Sequence, residues 1–380
     1  MKKHFGPITL LLVSATLYGL MIQACASPTT TRVASKPGAP PALASREPIL
    51  LVCPVRSMSS EKETGSLNLI LAPLIRRDLF CVKQLSVIPT EDTSTPGETF
   101  FLSESGLAKL GLRHGADMVT IGLLRGDSEN ISIEFQAYDI KARSFLLKTQ
   151  VEGKPSKIFQ LQRQLVYQLI ESLGISLTKE EDQSIRSSRP KKAQAATEYG
   201  RGLKNEKNKI YTEALIAYQN ALTEDKELAA PYAGEARIFS HFNAPLRALE
   251  SYENAVARDE FFAEAWYQLN LFAAYYKEQN DMAAEYCRKA LEIAPRFGKA
   301  RMSLGTRLFA LGEAKQAIEE TEKAVALLPA DPQPRYNLGI YYLERNQSDE
   351  ARTWFEQALK VDPGYERARI ELRNLGRTQE

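Results

Sequence analysis

Residues 335–363 read RYNLGIYYLERNQSDEARTWFEQALKVDP, and their internal spacing decides the fold of the second half of the chain. Two small residues, Ala351 and Ala358, stand seven apart on one face of a helix, and Pro363 follows. The same pattern, Glu-Ala-Leu-x-x-Tyr-x-x-Ala-Leu, starts at Glu213 and recurs. The first small residue falls at Ala214, Ala248, Ala283, Ala317 and Ala351, the second at Ala221, Ala255, Ala290, Ala324 and Ala358. The intervals are 34, 35, 34 and 34 residues. A fixed period of this length signals a helical repeat. Small residues sit where paired helices cross closely, and the sequence places Gly202, Ala236, Gly305 and Gly339 at the facing positions. Leu271 breaks that series in the third copy and is expected to widen or shift the crossing. Pro295, Pro329 and Pro363 end the second helix of their copies, because proline lacks an N–H and disfavours a helical residue before it.

The last copy resembles the tetratricopeptide repeat at Leu338-Gly339, Tyr342, Ala351, Phe355, Ala358 and Pro363, with Arg335 where an early Trp is expected. The resemblance implies an all-α solenoid of five repeats over residues 195–363, closed by a capping helix and tail at 364–380. Each repeat leaves an apolar face that only a neighbour or a cap can cover. First helices line the inner curve of such a solenoid. Carrying the family's inward positions across gives a groove of Tyr199, Leu203, Arg237, Phe272, Tyr275, Tyr276, Met302, Phe309, Tyr336 and Ile340. This implies a peptide segment or an amphipathic helix of another protein as the partner. The same rings could instead pack between adjacent repeats. Tyr199 and Leu203 stand where the family's carboxylate clamp uses Lys and Asn, so that ligand class is not expected.

Residues 1–24 read as an export signal. Lys2 and Lys3 precede an uncharged stretch, Pro7 to Ile22, too short to span a bilayer as a helix. Ile22-Gln23-Ala24-Cys25-Ala26 resembles the lipobox of bacterial lipoproteins, which implies cleavage before Cys25 and its acylation. Gln23 departs from that pattern, and Ala24-Cys25-Ala26 also fits ordinary signal cleavage. Ala26, in place of an acidic residue, resembles the signal for transfer to the outer membrane, facing the periplasm. Residues 25–48, rich in Ala, Ser, Thr and Pro, are expected to form a disordered tether.

Residues 49–177 read as a small α/β domain: a strand at Ile49–Val55, a helix at Leu67–Phe80 made doubtful by Pro73, and a strand around Gln84–Pro89. A helix near Glu104–Leu112, a strand from Asp117, a hairpin across Asp139–Arg143 and a closing amphipathic helix follow. This order, and the run from His114-Gly115-Ala116-Asp117 to Leu173, resembles the amino-terminal domain of the translocation protein TolB and related curli-assembly lipoprotein domains. The resemblance implies an envelope location and protein–protein contact, and offers no catalytic residues to carry over. An α/β domain of unrelated origin remains the alternative. Residues 178–194 are expected to be a linker.

Lys and Arg number 49 against 47 Asp and Glu, and the excess lies in Lys2 and Lys3. That balance excludes the clustered basic charge of a nucleic-acid binder. No His-x-x-x-His or Cys-x-x-Cys spacing, phosphate loop or nucleophile elbow occurs, so neither metal, cofactor nor catalysis is expected. Cys53 and Cys81 are a possible disulfide in an oxidising compartment. The reading is thus a non-catalytic envelope lipoprotein that acts as a scaffold or assembly factor. The alternatives are a partner or regulator of a cell-wall enzyme, or a ligand sensor working through the α/β domain.

Overall fold

The structure is a computed structural model that describes residues 47–58, 66–89, 103–187, 192–276 and 279–377. The export signal, Cys25 and nearly all of the tether lie outside these residues.

The first module is a five-stranded sheet in the order β2-β1-β3-β4-β5, made of β1 (Ile49–Ser57), β2 (Ser86–Val87), β3 (Met118–Gly126), β4 (Ile131–Asp139) and β5 (Ser144–Gly153). β1 runs parallel to β2 and β3, while β3, β4 and β5 form an antiparallel meander. The strand β1 is almost uniformly apolar because helices cover both of its faces. Leu50 and Val52 face α1 (Leu67–Phe80) and α3 (Ile158–Ser172), whereas Ile49, Leu51 and Cys53 face α2 (Glu104–His114). Gly115 ends α2 in the left-handed region at φ 64°. Two residues on, Asp117 clasps β1: its N–H donates to the Ile49 carbonyl at 2.8 Å, and its Oδ2 accepts from the Ile49 N–H at 3.0 Å. The helix α1 continues through Pro73, which lies on its half-exposed side.

Two expectations about this half are corrected. Cys53 and Cys81 are both free. Cys53 packs in the core on the α2 face and Cys81 in the core on the α1 face, so the sheet lies between them, and no bridge can span it. The stretch expected to be a linker carries a helix, α4 (Lys179–Ser187), with Ile185 fully buried. Thr178 and Glu181 form a reciprocal cap: the Glu181 N–H donates to Thr178 Oγ1 at 3.2 Å, and Glu181 Oε2 accepts from the Thr178 N–H at 2.8 Å. Glu181 Oε1 also accepts from the Lys83 N–H at 2.9 Å, which ties α4 to the end of α1.

Five helix pairs follow: α5 (Ala193–Lys207) with α6 (Tyr211–Glu224), α7 (Ala229–His241) with α8 (Pro245–Arg258), α9 (Ala263–Tyr276) with α10 (Asn280–Ile293), α11 (Gly298–Ala310) with α12 (Ala314–Leu327), and α13 (Gln333–Glu344) with α14 (Ser348–Val361). A last helix, α15 (Glu366–Arg377), buries Ala368 and Leu375 against α14. Within a pair the close crossing needs a missing side chain. A Cβ added at Gly339 would stand 2.3 Å from Phe355 Cε1, and one at Gly202 2.3 Å from Tyr218 Cε1.

One residue near the start of α7, α9, α11 and α15 pins the preceding junction. The Tyr232 hydroxyl donates to the Lys226 carbonyl, Trp266 Nε1 to Glu260, Arg301 Nη2 to Pro295 and Arg369 Nη2 to Pro363, each six residues back. Arg335, at the same place in its repeat, instead donates to the Asp331 carbonyl at 3.0 Å, four residues back.

That regularity relocates the extra residue of the third repeat. The turn between paired helices closes with an N–H bonded to a carbonyl five residues back at Ile210, Ala244, Glu313 and Gln347, but six back from Gln279 to Ala273. The additional residue therefore sits in this turn, after α9, and Asn270 rather than Leu271 occupies the crossing. Asn270 is fully buried, while Leu271 is 36% exposed. The facing position, filled by Tyr218, Tyr252, Thr321 and Phe355 in other repeats, holds the smaller Cys287, which leaves room for the amide.

The two modules share a core. The cluster built from β1, α1 and α3 runs on through Ala195, Ala196, Tyr199, Tyr218 and Leu228. A Cβ at Gly200 would lie 2.8 Å from the Ser66 carbonyl, which marks how closely α5 approaches the start of α1. Farther along α1, Arg77 donates to both carboxylate oxygens of Asp259 at 2.8 Å and to the Ser184 carbonyl at 2.9 Å, and its guanidinium lies over the Phe261 ring.

Candidate functional site: the wall of first helices

Consecutive first helices touch more closely than second helices do: α5 meets α7, α9 meets α11 and α11 meets α13. They therefore form the inner wall of the array. A one-residue shift turns a helix by about 100°, so the new register of α9 redraws that wall. Phe272 leaves it: the ring is 9% exposed and packs against Tyr252 between repeats. Leu271 takes its place, and Tyr275 remains on the wall, 79% exposed. The side chain of Tyr276 lies outside the described residues.

Other expected groove residues are also occupied. Tyr199 is buried against Tyr218 with ring centroids 6.0 Å apart, because the first module covers this end of the wall. Leu203 is half-buried against the shared core. Phe309 stacks on Tyr341 at 4.2 Å, and Tyr336 packs between Phe355 and Tyr365. Ile340 is half-buried between the cores of the last two repeats, and Met302 is half-buried on α11. The continuous aromatic trough expected from sequence is thus replaced by rings that pack within and between repeats. The signal for the correct register was present: Trp266-x-x-Leu269 sets the crossing residue at 270, one place earlier than counting back from Ala283 does.

Arg237 is engaged across the seam of the first two repeats. Its Nε donates to Glu206 Oε1 at 2.7 Å and its Nη2 to Oε2 at 2.9 Å, and the Tyr218 hydroxyl bonds the same carboxylate. Burial pushes the Glu206 carboxyl up, but Arg237 and Tyr218 outweigh it and hold the group below its ordinary range.

Toward the far end of the wall the side chains are polar and linked. Tyr365 donates to Gln333 Oε1 at 2.6 Å, Gln333 Nε2 to Asn337 Oδ1 at 2.7 Å, and the Tyr341 hydroxyl lies 3.2 Å from Thr306 Oγ1. Leu271 and Tyr275 precede this ladder. A wall with exposed apolar side chains beside amides and hydroxyls can take up both the side chains and the backbone of a bound segment.

Residues 308–374 match the tetratricopeptide repeat family. The matched span takes in α12, α13 with α14, and most of α15. Arrays of such repeats bind other proteins or peptides along their curved surface. The chain is 25% identical over 163 residues to human protein O-mannosyl-transferase TMTC3, covering 42% of this chain and 18% of that protein. It is 32% identical over 125 residues to the general transcriptional corepressor trfA of Dictyostelium discoideum, covering 32% and 9%. The chain therefore spans less than a fifth of the length of these curated relatives. Among solved structures, it is similar to YrrB, described as a TPR protein with an unusual peptide-binding site, at 20% identity and a TM-score of 0.42 over 47% of this chain and 92% of that one. PilF of Pseudomonas aeruginosa aligns at 19% identity and a TM-score of 0.42, over 49% and 88%.

Proposed function

We propose that the chain is a non-catalytic scaffold or assembly factor of the bacterial envelope, held at the outer membrane by lipid on Cys25 and facing the periplasm. It grips a peptide segment or amphipathic helix of a partner protein along the first helices of the second to fifth repeats. The observation that carries this reading is the wall itself: Leu271 and Tyr275 stand exposed on α9, and Thr306, Asn337 and Gln333 are linked by hydrogen bonds on the next first helices. The likeness of residues 49–177 to TolB-type domains supports the envelope location. A non-catalytic role is supported by the thiols of Cys53, Cys81 and Cys287, each pushed up to about 12, by burial first of all, and so kept protonated at neutral pH.

In-cell crosslinking followed by capture of the full chain tests the groove. Tyr275→Ala with Leu271→Ser should lose a partner that the parent chain retains, and equal recovery of every partner by both would remove the wall as the site. Fatty-acid labelling tests the anchor, since label retained on Cys25→Ala excludes acylation there. Turnover of peptidoglycan by the purified protein would overturn the non-catalytic assignment.

A further inference from the structure

The strand β5 pairs with β4 on one side and ends the sheet on the other, so that no strand partner meets its outer edge among the described residues. A bulge at Leu146 of β5, opposite Ala137 and Tyr138 of β4, is followed by unbroken register from Leu147 to Gly153. Alternate N–H and C=O groups of this run point outward, and no loop or helix among the described residues makes a backbone bond to them. Phe145, Leu146 and Leu147 are only half-buried, which leaves apolar surface at the same edge.

Its charge is one-sided. Lys141 and Arg143 in the hairpin turn, Lys148 on the strand, and Lys154 and Lys157 just past it are all exposed, against Glu152 as the sole acid on this stretch. Lysines on an edge commonly guard it against pairing. Here, however, Lys148 Nζ sits 4.0 Å from the Phe145 ring centroid, drawn onto the face of the sheet and off the backbone edge. A second copy of β5 would bring like charges together, which opposes self-pairing.

We propose that the outer edge of β5 accepts an extended, acidic segment of a partner protein as a sixth strand. Backbone hydrogen bonds would supply the affinity and the lysines would select for acid. This site is separate from the wall of first helices and does not depend on it.

The test uses the full chain and a fluorescent peptide of the length of β5 that alternates valine and glutamate. Its lysine counterpart and a version N-methylated at every residue serve as controls. Only the unmethylated acidic peptide should bind saturably, more weakly as salt rises, with slowed amide exchange along β5. Lys148→Glu should weaken binding about tenfold, and so should Lys141→Glu with Arg143→Glu; these positions are exposed, and the fold of each variant is verified by circular dichroism. Tyr275→Ala should leave binding unchanged. Absence of saturable binding, binding that survives N-methylation, or binding lost in Tyr275→Ala but indifferent to Lys148→Glu would overturn the proposal.

Discussion

Asn270 and Gly339 show what a single residue decides at a helix crossing. The Asn270 Nδ2 donates to the Tyr267 carbonyl at 2.9 Å, but its Oδ1 is buried with no hydrogen-bond partner among the described residues. An unmet buried acceptor costs about 1–3 kcal/mol, and alanine is also the better helix former. Asn270→Ala should therefore raise stability by about 1 kcal/mol in urea unfolding, and an unchanged or lower midpoint would contradict this account. Gly339→Ala runs the other way. Alanine gains about 1 kcal/mol in helix propensity, yet its Cβ would stand 2.3 Å from Phe355 Cε1 in a filled crossing. Overpacking should win, for a net loss of about 1–3 kcal/mol, and adding Phe355→Leu should restore part of it.

At the scale of elements, the turns inside the helix pairs repeat one backbone device. Lys209, Asn243, Gly312 and Asn346 hold equivalent places after the first helix, with φ of 62°, 53°, 82° and 59°. Glycine and asparagine suit this left-handed position, whereas a lysine pays for its Cβ there. Lys209→Gly should stabilise the chain by about 1 kcal/mol, read as a higher denaturant midpoint. The seam between the first two repeats makes a pH prediction. The Glu206 carboxyl is lowered in the folded chain, so its contribution is complete above its ordinary value of 4.5 and is lost as pH falls through the lower folded value. Thermal midpoints should drop on acidification below that point, and Arg237→Met should make the drop shallower by removing the partner that lowers the carboxyl.

For the whole molecule, the shared core makes the α/β module the amino-terminal cover of the solenoid. Arg77 and Asp259, both largely buried, are 182 positions apart in sequence and hold the module to the junction of the second and third repeats. Removing one partner of a buried pair costs about 3–5 kcal/mol. Arg77→Ala should cost that much, and should speed amide exchange around Asp259 before it affects α14 and α15. Intrinsic fluorescence and circular dichroism of the unaltered chain should report one coincident transition for the sheet and the first repeat, because Tyr199 and Gly200 lack their cover without α1.

Local periodicity made much of this protein legible. The alanine ladder located every second helix, the proline and glycine positions located the turns and crossings, and the alternation in β4 and β5 exposed the hairpin. These signals are readable because a helix or strand repeats its burial every few residues, whatever lies beyond it. The ladder could not place the extra residue of the third repeat, since the 35-residue interval is measured between second helices and fits an insertion on either side of α9. Only the hydrogen bond from Gln279 to Ala273 put it in the turn, and that rotation sent Phe272 into the seam and Leu271 onto the wall. The linker that became α4, the thiols kept apart by the sheet and the docking of α1 on α5 were likewise settled by tertiary structure. Each depends on side chains that meet from distant parts of the chain, and such meetings leave no period in the sequence.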